Sequence, residues 1–285
     1  MAFLSLKDAL VPARANCYAV GAFNTMDYTF TEGIITAAEQ TEKPVILMLA
    51  DYFFGMEGMD AFYDFNVARI KASKANIVYH LDHGKSFEAV MKAIHVGCNS
   101  VMFDGSQLPL DENIEKTRDI VRIAHAAGVQ VEAEIGHVAA PEGNPEGSVA
   151  KSEFFTDPDD AERFAKETGV DALAVAVGTV HGVYKGTPKL DYERLVEIRK
   201  RVGIPLVMHG GSGLPEDDFK KAVQNGMSKI NFFTGMMMEG VSAMYEMLKE
   251  KDGRVRYLNL QQKLQSVICE RVKQQMEVFG TPTIR

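Results

Sequence analysis

Ile77-Val78-Tyr79-His80-Leu81-Asp82-His83-Gly84 is a short apolar strand that ends in a carboxylate, an imidazole and a glycine. Ile77, Val78 and Tyr79 are β-branched or aromatic, the side chains that suit a buried strand. Gly84 then releases the backbone into a turn. Two adjacent ionisable groups at the end of such a strand are costly to leave unpaired. A metal ion, a substrate or both would account for them. The fold turns on whether other strands end the same way.

They do. Short apolar runs recur at 18–23, 45–50, 77–82, 100–104, 129–135, 172–177, 206–209 and 229–232. Amphipathic stretches lie between them, at 31–42, 87–96, 111–127, 157–168, 192–202 and 216–224. Several open on helix-start signals: Ser86, Asp157-Pro158, and Pro215 before Glu216-Asp217-Asp218. Eight β–α alternations whose strands lack alternating polarity describe a parallel sheet buried on both faces. At 285 residues this predicts a closed (β/α)8 TIM barrel rather than an open doubly wound sheet. No linker or low-complexity segment divides the chain, so residues 1–285 are expected to form a single domain. A helical tail at 240–279 exceeds what closing a barrel needs. It is read as a C-terminal extension at a subunit contact, in a homodimer or homotetramer.

Composition narrows the function. The net charge of -8 argues against a nucleic-acid binder, which would show a basic patch. No run approaches the ~18 apolar residues that span a membrane. Met1 to Leu10 lacks the basic and apolar segments of a signal peptide, which places the protein in the cytoplasm. The three cysteines, Cys17, Cys98 and Cys269, are widely spaced and odd in number, which argues for reduced thiols.

A barrel carries its chemistry at the C-terminal ends of its strands. Those ends read Asn24, Asp82-His83, Asp104, Glu134, His181, His209 and Asn231. Three of the seven histidines stand beside glycine there: His83-Gly84, His181-Gly182 and His209-Gly210. Singly, each reads as a polar residue bonding a loop. Together, three imidazoles with an open fourth position make the ligand set of a catalytic Zn²⁺. His95 and His125 fall in helices at the surface, His80 packs within its strand, and His137 lies in a loop. Asp82 adjoins a ligand histidine and can exchange a proton with a bound group. Asp104 and Glu134 can orient a ligand histidine or offer an alternative metal position, and Asp104 can equally cap its loop. Glycine-rich corners follow strands six, seven and eight, where barrels bind phosphate through backbone N–H groups. Gly211, Ser212, Asn231 and Thr234 are the candidates for that cradle. The segment 138–151, with Pro141, Gly143, Pro145 and Gly147, suits a lid carrying Glu142 and Glu146.

Taken in order, His80-Leu81-Asp82-His83-Gly84, Ser100 to Ser106, Glu132-Ala133-Glu134-Ile135-Gly136, His181-Gly182-Val183-Tyr184 and Val207 to Gly213 resemble the class II, zinc-dependent ketose-bisphosphate aldolases. That family includes fructose- and tagatose-1,6-bisphosphate aldolases, and the likeness runs from about Asn16 through Thr234. The resemblance implies Zn²⁺ on His83, His181 and His209, polarising the carbonyl of a dihydroxyacetone-phosphate unit. It implies that Asp82 takes the C4 hydroxyl proton in cleavage and that Glu142 exchanges the proton on the enolising carbon. Asn231 would contact the enediolate, and Asn24 matches a family active-site asparagine. Gly182, Gly210, Ser212 and Thr234 would surround the phosphate of a small phosphorylated sugar, with a monovalent cation (Na+ or K+) nearby.

The sequence departs from the family pattern at Ala139-Ala140-Pro141-Glu142-Gly143 in the lid and at Phe233 and Gly235 after strand eight. Ala50 stands where a hydroxyl is usual, and Arg254 is the candidate for the arginine that grips a distal phosphate. These departures point away from strict fructose-1,6-bisphosphate specificity and toward another phosphorylated ketose. Two other readings stay open: a metal-dependent hydrolase on the same fold, and a non-catalytic barrel that retains the metal site.

Overall fold

A computed structural model describes residues 3–138 and 148–284. Eight parallel strands close in sequence order into a barrel: β1 (Val20–Asn24), β2 (Val45–Ala50), β3 (Ile77–Gly84), β4 (Ser100–Phe103), β5 (Gln130–Ile135), β6 (Ala172–Val175), β7 (Leu206–Met208) and β8 (Met227–Asn231). The expected (β/α)8 barrel is therefore present, with strand ends shifted by up to two residues. The first run starts at Val20 rather than residue 18. Ala19 instead accepts from Thr281 Oγ1 and donates its N–H to Phe279, tying the chain's beginning to its end.

Helices α2 (Tyr28–Thr41), α3 (Met59–Ala72), α4 (Phe87–His95), α5 (Leu110–Ala126), α6 (Pro158–Thr168), α7 (Tyr192–Arg201) and α8 (Glu216–Gln224) follow β1 to β7 in turn. Side-chain oxygens of Asp27, Ser86, Asp157 and Asp191 cap four of them by accepting backbone N–H bonds. Pro215 offers no such oxygen to α8; the acidic first turn Glu216-Asp217-Asp218 complements its dipole instead.

Helix α3 answers to none of the expected amphipathic stretches, and two further features depart from the expectation. A helix α1 (Leu6–Asn16) precedes β1, capped by Ser5, and buries Leu6, Ala9, Leu10 and Ala13. These pack with Val20, Ala22, Ile46, Val78, Ala172 and Val207, so α1 plugs the N-terminal end of the barrel. The C-terminal tail is two helices, α9 (Thr234–Glu250) and α10 (Tyr257–Val278). It is α10 that packs on α2, α8 and β1 and fills the outer ring; α9 packs mainly on α10. The tail is thus half closure and half surplus. Gly33 of α2 lets α10 approach closely, because a Cβ there would lie 2.8 Å from Ile268.

Inside the barrel, side chains at every second position of a strand share the inner face. His80 and Asp82, Glu132 and Glu134, and Lys229 and Asn231 are such pairs. Below the mouth the filling turns polar: Glu132, His80, Ser100 and Lys229 are all fully buried.

Candidate active site

β3 carries the residue on which the site depends. Alternation would aim His83 away from Asp82, toward the helices. A register shift between Leu81 and Gly84 against β4, with His83 in the left-handed region at φ 49°, turns its ring toward the mouth instead. Such a conformation is strained for a residue with a side chain and clusters at functional positions.

His83, His181 and His209 each offer a ring nitrogen, and the three atoms lie within 4.8 Å of one another. Carboxylates set the tautomers. Asp104 Oδ2 lies 2.8 Å from His83 Nδ1. Burial opposes ionisation of Asp104, but His83 and Ser106 outweigh it and hold Asp104 well below the usual carboxylate range. Ionised, it can only accept, so His83 Nδ1 carries the proton and Nε2 bears a lone pair. Glu132 Oε1 lies 2.9 Å from His209 Nε2 and also accepts from Lys229 Nζ at 3.1 Å. Despite burial, Lys229 and His209 pull Glu132 down to about 2, so His209 donates from Nε2 and leaves a lone pair on Nδ1. His83 Nε2 and His209 Nδ1 then face each other at 2.9 Å. Two lone pairs at that distance repel unless a proton or a metal ion is shared between them, and three such nitrogens lie within reach of one ion. The donor set fits a divalent metal.

Glu134 stands beside this pair, with Oε2 3.5 Å from His209 Nδ1. Burial and the neighbouring Asp104 raise it to about 8. His83, Asp104 and Glu134 form a second group able to hold a cation. Asp104 also accepts from Ser106 N–H and Oγ–H through Oδ1.

Asp82 is fully buried between two amides. Asn24 Nδ2 donates to Oδ2 and Asn231 Nδ2 donates to Oδ1, each at 2.9 Å. Burial would raise Asp82, but His83, His209 and Lys229 together with the Asn24 bond hold it well below the usual range. It is an ionised acceptor at the barrel axis. The three residues come from β8, β1 and β3, a stretch of the closed barrel in which only β2 intervenes.

Beyond β6, β7 and β8 the phosphate candidates meet. His181, Gly182, Gly210, Gly211, Ser212, Asn231, Phe233 and Thr234 line a recess of about 10 Å³. Gly210 has φ +68°, and a Cβ on it would lie 2.2 Å from the Val180 carbonyl. Phe233 donates its N–H to Ser212 Oγ at 3.2 Å, so its backbone joins the recess wall. Tyr184 Oη–H donates to the Gly210 carbonyl at 2.7 Å.

Glu142 and the altered segment 139–143 lie outside the described residues. Arg254 sits in the link at 251–256 between α9 and α10, is exposed, and pairs with Asp252. It is not among the residues lining the mouth. His137 lines the cavity beside His83, and His95 and His125 are exposed. Sequence reasoning missed Lys229 and the structural use of Glu132, His80 and Tyr184. For Lys229 and Glu132 the signal was present: each lies two residues before a site residue on an inward-facing row, where a charge must be paired.

Comparison with known proteins agrees with this geometry. The family described as "Fructose-bisphosphate aldolase class-II" matches residues 4–282. A probable fructose-bisphosphate aldolase of Bacillus subtilis is 39% identical over 255 residues, covering 88% of both chains. The fructose-bisphosphate aldolase of Staphylococcus aureus is 37% identical over 295 residues, with 99% of this chain and 98% of that one covered. Among solved structures, the YdjI aldolase from Escherichia coli K12 superposes with a TM-score of 0.85 at 32% identity, covering 98% of each chain.

Proposed function

The chain belongs to the class II fructose-bisphosphate aldolase family of lyases, and from that premise we propose a zinc-dependent aldolase that cleaves a ketose 1-phosphate or 1,6-bisphosphate. The products are dihydroxyacetone phosphate and an aldehyde, and the reaction runs in both directions. The observation that carries this reading is the convergence of ring nitrogens from His83, His181 and His209 within 4.8 Å of one another, beside buried Asp82.

In this reading His83, His181 and His209 hold Zn²⁺, and Glu134 offers it an alternative position. When bound, the ion supplies Lewis-acid polarisation of the substrate carbonyl. Asp104 and Glu132 keep the ligand rings in their binding tautomers. Asp82 accepts the C4 hydroxyl proton as the C3–C4 bond breaks and returns it in condensation. Asn24 and Asn231 hold Asp82 in place, and Asn231 Oδ1, which has no hydrogen-bond partner among the described residues, faces the enediolate. Glu142 exchanges the proton on C3. Gly182, Gly210, Gly211, Ser212 and Thr234 enclose the C1 phosphate, with Na+ or K+ beside it.

The protein works as one cytoplasmic barrel domain in a homodimer or homotetramer. Met238, Val241 and Tyr245 support that assembly, because they expose an apolar face along α9. No helix among the described residues is long and apolar enough to cross a membrane. No observation favours the hydrolase or the non-catalytic barrel.

The test is cleavage of a panel of phosphorylated ketoses by zinc-loaded and chelated protein, read as dihydroxyacetone phosphate. Zinc-dependent release from one of them is the expected result. Silence across the panel with zinc bound would reject the reading.

A further inference from the structure

The mouth of the barrel is divided. The recess for phosphate belongs to the ends of β6, β7 and β8. A cavity of about 490 Å³ belongs to the ends of β2 to β5, with His181 shared between the two. In a closed barrel these arcs face each other across the axis. A ketose anchored by its C1 phosphate in the recess, with C2 and C3 at the histidines and C4 at Asp82, must send the rest of its chain into the cavity. The walls there include Ala50, Asp51, Tyr52, Lys85 and Gln107.

Lys85 is the one lysine or arginine among the described residues of that cavity. It follows the strained His83-Gly84 turn, and its backbone N–H is held by Asp51 Oδ2 at 3.2 Å. This bond fixes where its side chain starts. The ammonium itself makes no ion pair within 4 Å among the described residues, although Asp51 and Asp104 share its cavity. Asp104 is already committed to His83 and Ser106, and Asp51 to the Lys85 N–H. A second cavity of about 640 Å³ shares Lys85, Asp104 and Gln107 with the first and continues between α4 and α5. Lys85 therefore stands at the passage from one cavity to the next. Neither alternative anchor serves a distal anion here: Ala50 lines the cavity but has no hydroxyl, and Arg254 lies between α9 and α10.

We propose that Lys85 is the specificity-determining residue for the aldehyde half, binding an anionic group, phosphate or carboxylate, at its far end. The site rests on the aldolase reading above and names the substrate class it serves, anion-terminated aldehydes. An ammonium on a tethered backbone, beside a wide, partly apolar cavity, distinguishes charged from neutral tails while leaving their length free.

The experiment is condensation of dihydroxyacetone phosphate, by zinc-loaded protein, with D-glyceraldehyde 3-phosphate, succinic semialdehyde and neutral D-glyceraldehyde. The readout is the ratio of kcat/KM for each anionic aldehyde over the neutral one. Lys85→Met should lower that ratio roughly 10- to 100-fold, through KM, as expected for one charge-assisted hydrogen bond. Lys85→Arg should retain it. Whether the phosphate or the carboxylate ratio falls identifies the anion. A merely structural lysine would depress all three substrates together and leave the ratio unchanged, which would overturn the proposal. Wild-type protein that exchanges the C3 protons of dihydroxyacetone phosphate with solvent but shows no preference for either anion would overturn it too. Wild-type protein that neither exchanges nor condenses would remove the aldolase reading itself, and Lys85's role with it.

Discussion

The two halves of the barrel mouth are built from different material. On the β6–β8 side the recess is about 10 Å³, and Gly182, Gly210, Gly211, Ser212 and Thr234 make up most of its lining, with His181, Asn231 and Phe233 completing it. On the β2–β5 side the space is about 490 Å³, and its walls are the side chains of Tyr52, Lys85, Gln107 and their neighbours. Backbone walls admit one shape, because each is tied into the strands and cannot move alone. Side-chain walls can be exchanged singly without disturbing the barrel. The fixed half suits the phosphorylated fragment that every substrate shares, and the exchangeable half suits the fragment that varies.

The largest effect is expected at the seam between the halves. His83→Ala should lose the metal and bring turnover with every substrate to background, measured by metal analysis alongside product release. Full activity in metal-free protein would mean that neither half serves a metal centre. Next, Gly210→Ala drives a Cβ into the Val180 carbonyl at a φ of +68°. Displacing the phosphate by about 1 Å costs on the order of 10²-fold in kcat/KM, and the loss should be equal for all ketose phosphates. A loss confined to one of them would break the division of labour. Gln107→Ala, on the open side, should change kcat/KM only about 2- to 10-fold, the worth of a neutral hydrogen bond. That change should differ between aldehydes.

An effect on stability rather than turnover lies beneath both halves, in the polar filling of the barrel. Burial and Lys229 push His80 from 6.5 down to about 3, so it stays neutral in the fold. Below pH 6.5 the unfolded chain binds a proton there that the folded chain does not. This contribution to stability is complete above 6.5 and is lost as pH falls toward 3. Glu132, lowered from 4.5 to about 2, adds a loss that begins only below 4.5. Unfolding free energy of metal-free protein should therefore fall between pH 6.5 and 5, by up to about 1.4 kcal/mol per pH unit from this one group. His80→Gln should flatten that segment. An identical slope in the variant would show that His80 is protonated in the fold.

The apolar runs made the barrel legible because a strand buried on both faces cannot hide its composition. Polar strand ends made most of the site legible, because a barrel gathers them at one face. Asp82, His83, His181 and His209 were each visible as a polar group beside a glycine or another polar group where an apolar run stops. Helices α1 and α3 were missed: Pro12 within α1 obscures its pattern, and α3 presents only a weak apolar stripe. Lys229 was missed because a lone charge in a strand reads as an end or a loop until its partner is known. Its partner, Glu132, is 97 residues away.

By itself, the sequence determined the strand count, the parallel closed topology, the family and the residue types available at the mouth, since all of these follow from local pattern. Only the tertiary structure decided how those residues act. Pairing against β4 bulged β3 and turned His83 inward. Asp104 and Glu132, from other strands, chose the histidine tautomers, and α10 rather than α9 closed the ring. Arg254 was held in the α9–α10 link while Lys85 came to the passage between two cavities. Each of these depends on contacts between residues far apart in the chain, which no local pattern encodes.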